Sequence, residues 1–201
     1  MQIDVANTPV VEVYQALVGI VTPRPIAWVT TVDPAGRVNL APFSFFNAFG
    51  ANPPVVVFSP TNRRDGSKKD TLLNLEATGE FVVHAAVASL AEKINGTSKE
   101  LPHGESEVDY AGLHTTPSVK VKPPRLVEAP VAMECNVRQI IPIGSGAIAA
   151  NLVIGEVLLM HIADAVLDAN GRVDPRKLKT VARLGQDYWC HTSDLFELKR
   201  P

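Results

Sequence analysis

The sequence predicts a mainly β fold, an antiparallel barrel closed or nearly closed, with a few helices appended. Apolar runs such as Ile26 to Val32 and Val55 to Phe58 are short, rich in β-branched and aromatic residues and bounded by Gly or Pro, which marks strands rather than helices. Strands outnumber helices and do not alternate with them as a doubly wound parallel sheet requires. Val131, Met133, Cys135 and Val137 alternate with Ala132, Glu134, Asn136 and Arg138, the period of two of a strand with the first set turned inward.

In chain order, Val10 to Ile20 reads as a short amphipathic helix or turn. Thr22-Pro23-Arg24-Pro25 is a stiff entry to the first strand, because two prolines restrict the backbone on both sides of Arg24. Asp33-Pro34-Ala35-Gly36 has turn chemistry, so Ile26 to Val32 and Arg37 to Phe46 are expected to form a hairpin. Asn52-Pro53-Pro54 opens a strand over Val55 to Ser59 whose unbroken apolarity predicts burial on both faces. Asp70-Thr71 ahead of Leu72, Leu73 and Leu75 marks a helix start, where Asp or Thr can cap. Glu80 to Val87 is strand-like, Ser89 to Asn95 a short helix, and Gly96 to Thr116 a long polar connection of the kind that is functional or mobile. Leu152 to Ala163 is another long strand, and Asn170-Gly171 a tight turn.

The 201 residues suit one domain with a self-sufficient core. Lys and Arg number 19 against 21 Asp and Glu, a net charge of −2, so no overall field draws the chain to nucleic acid or an anionic membrane. Basic residues cluster only locally, at Arg63, Arg64, Lys68 and Lys69. No apolar run approaches the roughly 20 residues of a membrane helix, and nothing marks the chain for export, which predicts a cytoplasmic protein. Cys135 and Cys190 form no CxxC, in keeping with reduced thiols.

Three segments invite a chemical reading. Lys68-Lys69-Asp70-Thr71 before a helix combines ammonium groups, a hydroxyl and free backbone NH groups, which suits a phosphate monoester; the ordinary alternative is a solvated basic turn with a common cap. Leu40-Ala41-Pro42-Phe43-Ser44-Phe45-Phe46-Asn47 sets aromatics beside hydroxyl and amide groups, as a flat ligand requires, although each phenylalanine alone is more commonly core. Gly144-Ser145-Gly146 lacks the third glycine and later acid of a dinucleotide fingerprint and reads as a loop. The five histidines show no metal-ligand spacing, and no GxSxG elbow appears, so a cofactor carrying its own reactivity is the economical source of chemistry.

PRPIAWVTT, NLAPFSFFN, PPVVVFSP, KKDT, GEFVVH, VKPPRLVEAPVAMEC, IGEVLLMHI and RLGQDYW, in that order, resemble the flavin reductase-like family of FMN-binding split-barrel proteins, flavoredoxins included. The resemblance implies a Greek-key split β-barrel that dimerises, with FMN near the subunit interface. It implies that Asn39, Leu40, Ala41, Pro42, Phe43, Ser44, Phe45 and Asn47 run along the isoalloxazine and ribityl chain. Phe58 and Ser59 would border the flavin, Lys69, Asp70 and Thr71 would hold the ribityl and phosphate end, and Arg24 and Arg183 would lie nearby. The expected activity is flavin reduction by NADH or NADPH, with no side chain acting as nucleophile; a partner oxygenase or electron-transfer protein would take the electrons. A tight FMN carrier reduced by a protein partner, or a barrel binding another phosphorylated planar ligand, are the competing expectations.

Overall fold

The computed structural model describes residues 1–101 and 105–199. In chain order these form α1 (Val10–Ile20), β1 (Ala27–Val32), β2 (Val38–Phe43), β3 (Phe46–Ala51), β4 (Pro54–Phe58), α2 (Asp70–Thr78), β5 (Glu80–Ala85), α3 (Ala91–Gly96) and α4 (Glu107–Tyr110). There follow the two-residue strands β6 (Thr115–Thr116) and β7 (Arg125–Leu126), the long strands β8 (Val131–Ile143) and β9 (Ala150–Ile162), then α5 (Pro175–Leu178), β10 (Val181–Arg183) and β11 (Trp189–His191). Among the described residues, no helix is long and apolar enough to cross a membrane.

Seven strands make one antiparallel sheet in the order β2-β1-β5-β8-β9-β4-β3. The chain leaves β4 near one edge and returns through α2 to β5, beside β1, in the manner of a Greek key. The sheet curls around a core drawn from six of its strands, including Val29, Phe43, Phe58, Phe81, Cys135 and Val153. Its edge strands, β2 and β3, are joined through Ser44 and Phe45 without pairing as a ladder, which leaves the barrel split. Packing inside is tight: a Cβ on Gly155 would clash with the Phe81 ring.

β1 is buried along its whole length because a second core covers its other face. There Ile26, Trp28 and Leu40 pack against Ile94, Val108 and Leu126 from the appended helices and loops. Each such side chain contributes on the order of 1.5 to 3 kcal/mol when fully buried. The buried Trp28 and His84 side chains in this layer are paired. The Trp28 indole donates to Thr97 Oγ1 at 2.9 Å. Leu126 N–H donates to His84 Nε2 at 3.0 Å, so the other ring nitrogen, Nδ1, carries the proton and donates to the Trp28 carbonyl at 3.0 Å. Burial holds the His84 pKa down at about 4.

The expected hairpin forms, with Gly36 at φ +84° and its N–H donating to the Asp33 carbonyl at 2.9 Å. The expected second strand, Arg37 to Phe46, is shorter: β2 ends at Phe43, the chain bends through Ser44 and Phe45, and Phe46 opens a separate strand paired with β4. Burial of β4 on both faces holds for Val56, Val57 and Phe58, while Pro54 and Val55 are half-buried near the exposed hairpin end. Lys69 rather than Asp70 or Thr71 occupies the cap position of α2.

On β8, Met133, Cys135 and Val137 do face the barrel core. Val131 is only half-buried, and Ala132 and Glu134, expected outside, are buried as well. A loop covers them: Val121 packs with Ala132 and Val82, and Val119 and Lys120 donate their N–H groups to the Glu134 carboxylate. The long connection expected over Gly96 to Thr116 contains α4; residues 102–104 within it lie outside the described residues.

Candidate functional site

The loop after β4 and the start of α2 build one side of a recess. Lys69 cannot close the helix with its side chain, and the first intrahelical bond runs from Leu73 N–H to the Lys69 carbonyl at 3.1 Å. The N–H groups of Asp70, Thr71 and Leu72 therefore lack intrahelical acceptors and point with the positive end of the helix dipole. The Lys69 amine stands 5.9 Å from the centre of the Phe43 ring. Burial lowers its pKa, Glu100 works the other way, and among the described residues it forms no ion pair. A half-buried, partly desolvated cation left without a carboxylate partner is poised for an anion.

Arg63 enters from the same loop. Its guanidinium meets Asp70 at 2.9 Å and donates to the Lys68 carbonyl. That loop hangs from the tip of the β8–β9 hairpin: Asn151 Nδ2 donates to the Pro60 carbonyl at 3.0 Å and to Asn62 Oδ1 at 2.9 Å. Asn62 in turn donates from its backbone to the Ala149 carbonyl and from its side chain to the Gly146 carbonyl. Gly144, Ser145 and Gly146 thus form a loop as expected, and that loop braces Arg63.

Asn39, Ala41, Pro42 and Phe43 of β2 form the opposing wall. Asn39 Nδ2 donates to Thr71 Oγ1 at 2.8 Å and to Thr31 Oγ1 at 3.2 Å, fastening β2 to the start of α2. The recess between these walls and residues 97–101 holds about 90 Å³. Three cations, Arg63, Lys69 and Lys99, and three carboxylates, Asp70, Glu100 and Glu107, line it.

Seven of the predicted residues, Asn39, Ala41, Pro42, Phe43, Lys69, Asp70 and Thr71, meet there. Ser44, Phe45, Arg24 and Arg183 gather instead at the bend beside α1. Arg24 is buried and donates to the carbonyls of Val18, Val21 (2.7 Å) and Leu184 (2.9 Å), and to Ser44 Oγ at 3.5 Å, so its guanidinium is largely committed to holding the bend. Arg183 lies over the Trp189 ring and donates to the Gln186 carbonyl. Phe45 meets Tyr14 of α1 edge-on at 6.4 Å, and its carbonyl accepts the Ser59 N–H. Ser59 Oγ is buried with no partner, an orphaned polar atom beside the bend.

Leu40 and Phe58 are fully buried core side chains, and only the Leu40 backbone reaches outward, donating to Glu107 at 3.1 Å. Asn47 is exposed on β3 and accepts from Ala48 N–H. Arg63, Lys99 and Glu107 are additions. The basic run containing Arg63 after a buried strand was the available signal for it; nothing local distinguishes Lys99 or Glu107.

A second and larger cavity, about 630 Å³, opens on the far side of Asn39 and Asp70, between the β1–β2 turn, the outer face of α2 and the α4 segment. Glu107 stands between the two spaces, and burial raises its carboxyl pKa against the opposing effect of the Leu40 N–H.

Compared with known proteins, residues 20–177 match the family model of the flavin reductase like domain. An uncharacterised protein of Halalkalibacterium halodurans is 43% identical, the match covering 94% of this chain and 91% of its own. Nitrilotriacetate monooxygenase component B from Bacillus cereus superposes with a TM-score of 0.92 at 36% identity, over 98% of each chain. The 2-nitrobenzoate 2-nitroreductase NbaA of Pseudomonas fluorescens gives 0.89 at 31% identity, over 100% of this chain and 96% of the other.

Proposed function

This chain belongs to the flavin reductase like family, and from that premise we propose that it is an FMN-binding oxidoreductase drawing electrons from NADH or NADPH. The observation that carries the proposal is the unpaired, desolvated Lys69 amine at the uncapped start of α2, with Arg63 alongside. Such a site suits the phosphate of FMN, whose charge would supply the partner that Lys69 lacks.

The residues present fit the rest of the cofactor too. Ala41, Pro42 and Phe43 offer an apolar wall, and the partnerless Ser59 hydroxyl supplies a hydrogen-bonding group beside the bend. The recess is smaller than the roughly 300 to 1,000 Å³ of pockets that enclose a drug-sized ligand. It would hold the phosphate end and leave the ring against the more open bend. Bound there, the flavin supplies acceptance of hydride and its onward transfer as electrons. The task of the chain is to fix the phosphate with Lys69 and Arg63, hold the bend rigid through Arg24, and exclude water with the Phe43, Phe45 and Tyr14 rings.

A second copy of the chain suits the open side. Val10, Val11, Leu17 and Ile20 of α1, the helix that meets the bend through Tyr14 and Phe45, and Phe49, a few residues past it on β3, are exposed apolar side chains, which supports a homodimer. The Bacillus cereus neighbour is a monooxygenase component by name, and a partner oxygenase is proposed here by that analogy.

Absorbance of the purified protein, without oxygen, tests the function. Uptake of FMN followed by bleaching with NADH or NADPH is expected. Uptake without bleaching by either nucleotide would favour a carrier reduced by a protein partner, and no uptake would overturn the reading.

A further inference from the structure

Arg24 and Arg183 face each other across an isolated antiparallel bridge, the backbone N–H of each donating to the carbonyl of the other at 2.9 Å. Residues opposed in this way send their side chains to the same face, where like charges repel. The Arg24 guanidinium is buried and reaches Ser44 at the bend, so that of Arg183 lies on the bend side too. Burial lowers the Arg24 pKa, Tyr14 opposes that, and the Arg183 charge adds to it. Among the described residues, neither arginine has a carboxylate within ion-pair distance. Two cations held together with no anion between them carry a standing electrostatic cost.

Arg24 spends its donors on carbonyls, and Arg183 does not. The Arg183 guanidinium lies over the Trp189 ring, 5.2 Å from its centre, and Nη2 donates to the Gln186 carbonyl at 2.8 Å. Its remaining N–H groups have no acceptor among the described residues. The turn that carries Gln186 is built to hold this arrangement. Gln186 takes φ +54°, unfavourable for a residue with a side chain, Leu184 N–H donates to the Tyr188 carbonyl at 2.9 Å, and Gly185 packs on Gly19 of α1 with little room for a Cβ. The guanidinium is therefore fixed by its neighbours while part of its edge stays free.

We propose that Arg183 docks the carboxylate of a small planar organic acid, which meets the flavin ring on the open side of the bend. This deepens the flavin reading and rests on it for the placement of the ring. The free edge of the guanidinium suits the two oxygens of a carboxylate, and Tyr14 and Phe45 offer aromatic surface to the rest of the molecule. The FMN phosphate does not compete, since its cations, Lys69 and Arg63, line the recess beyond Phe43. One uncommitted guanidinium matches one negative charge, whereas a pyrophosphate would need donors that Arg24 has already given to Val18, Val21 and Leu184.

Calorimetric titration of the full-length protein with benzoate and with benzamide, its uncharged counterpart, reads the preference; absorbance of the FMN-loaded protein reads the place. Wild type is expected to bind benzoate at least tenfold more tightly than benzamide, and benzoate to shift the flavin bands. Arg183→Gln should bring the two ligands within threefold of each other by weakening benzoate alone. Arg183→Lys, which keeps the charge and guards against a folding defect in the first variant, should lose at least threefold of the preference because it lacks the fork. Equal binding or no binding of the two ligands by wild type, or an undiminished preference in either variant, overturns the proposal. Inorganic pyrophosphate displacing benzoate at a tenth of its concentration would reassign Arg183 to a phosphate and overturn the carboxylate. Benzoate binding that leaves the flavin bands unmoved overturns the placement beside the ring. The preference shown by a protein that takes up no flavin would sink the flavin reading and leave the docking residue standing.

Discussion

The recess and the larger cavity share four lining residues, yet among the described residues one balances three cations against three carboxylates and the other sets five carboxylates, two of them paired with Arg37 or Arg63, against Arg37. The difference arises from what each wall brings. Arg63 reaches the recess because its loop is hung from a distant hairpin, and Lys69 is desolvated there against Phe43. The cavity is walled by a turn and two helices whose exposed faces carry acids. Neighbouring spaces on one barrel thus differ in the charge they offer a ligand.

The strongest way to break this division is Lys69→Glu. FMN affinity should fall more than a hundredfold, about 3 kcal/mol, while riboflavin, which has no phosphate, changes less than threefold in fluorescence titration. An equal loss for both would show that the recess does not hold the phosphate.

Any pH comparison of the two spaces must allow for the acid sensitivity of the fold, to which His84 contributes. Its folded pKa, about 4, lies below the ordinary histidine value, so its contribution is present above about pH 6.5 and is lost as pH falls through 4. Chemical denaturation between pH 7 and 4 should show a loss on the order of 2 to 3 kcal/mol from this group, and His84→Gln should flatten that slope.

Asn151→Ala should sharpen the contrast, since it loosens the Arg63 loop without touching either space directly. FMN affinity is expected to drop about tenfold, or about 1.4 kcal/mol, with riboflavin unchanged.

The smallest effect belongs to Glu107, in the shared wall. Its folded pKa is raised, so its favourable contribution is complete below the ordinary carboxylate value and is lost as pH rises through the raised one. Glu107→Gln should melt slightly above the parent at pH 7 and together with it at pH 4. A lower melting temperature at pH 7 would mean that ionised Glu107 supports the wall.

Much of this architecture was legible because it depends on short-range chemistry. Pro and Gly at 34 and 36 specify the β1–β2 turn, apolar runs specify the strands, and Lys-Asp-Thr before spaced leucines specifies the start of α2. Those same features brought seven of the predicted site residues to one place. Other expectations were altered by packing. Ser44 and Phe45 bend the chain where the Arg24 guanidinium can hold them, and Ala132 and Glu134 are buried because a loop folds over a face that alternation assigns to solvent.

The sequence by itself determined the barrel class, the turns and the phosphate-suited helix start, since each follows from backbone preference and side-chain period over a few residues. Only the tertiary structure decided that Arg63 belongs to that site, that Arg24 is spent on backbone carbonyls, and that an acidic cavity adjoins the recess. Those facts rest on contacts such as Asn151 with Asn62, 89 residues apart, and Arg24 with Leu184, 160 apart, and no local pattern encodes which distant surfaces will meet.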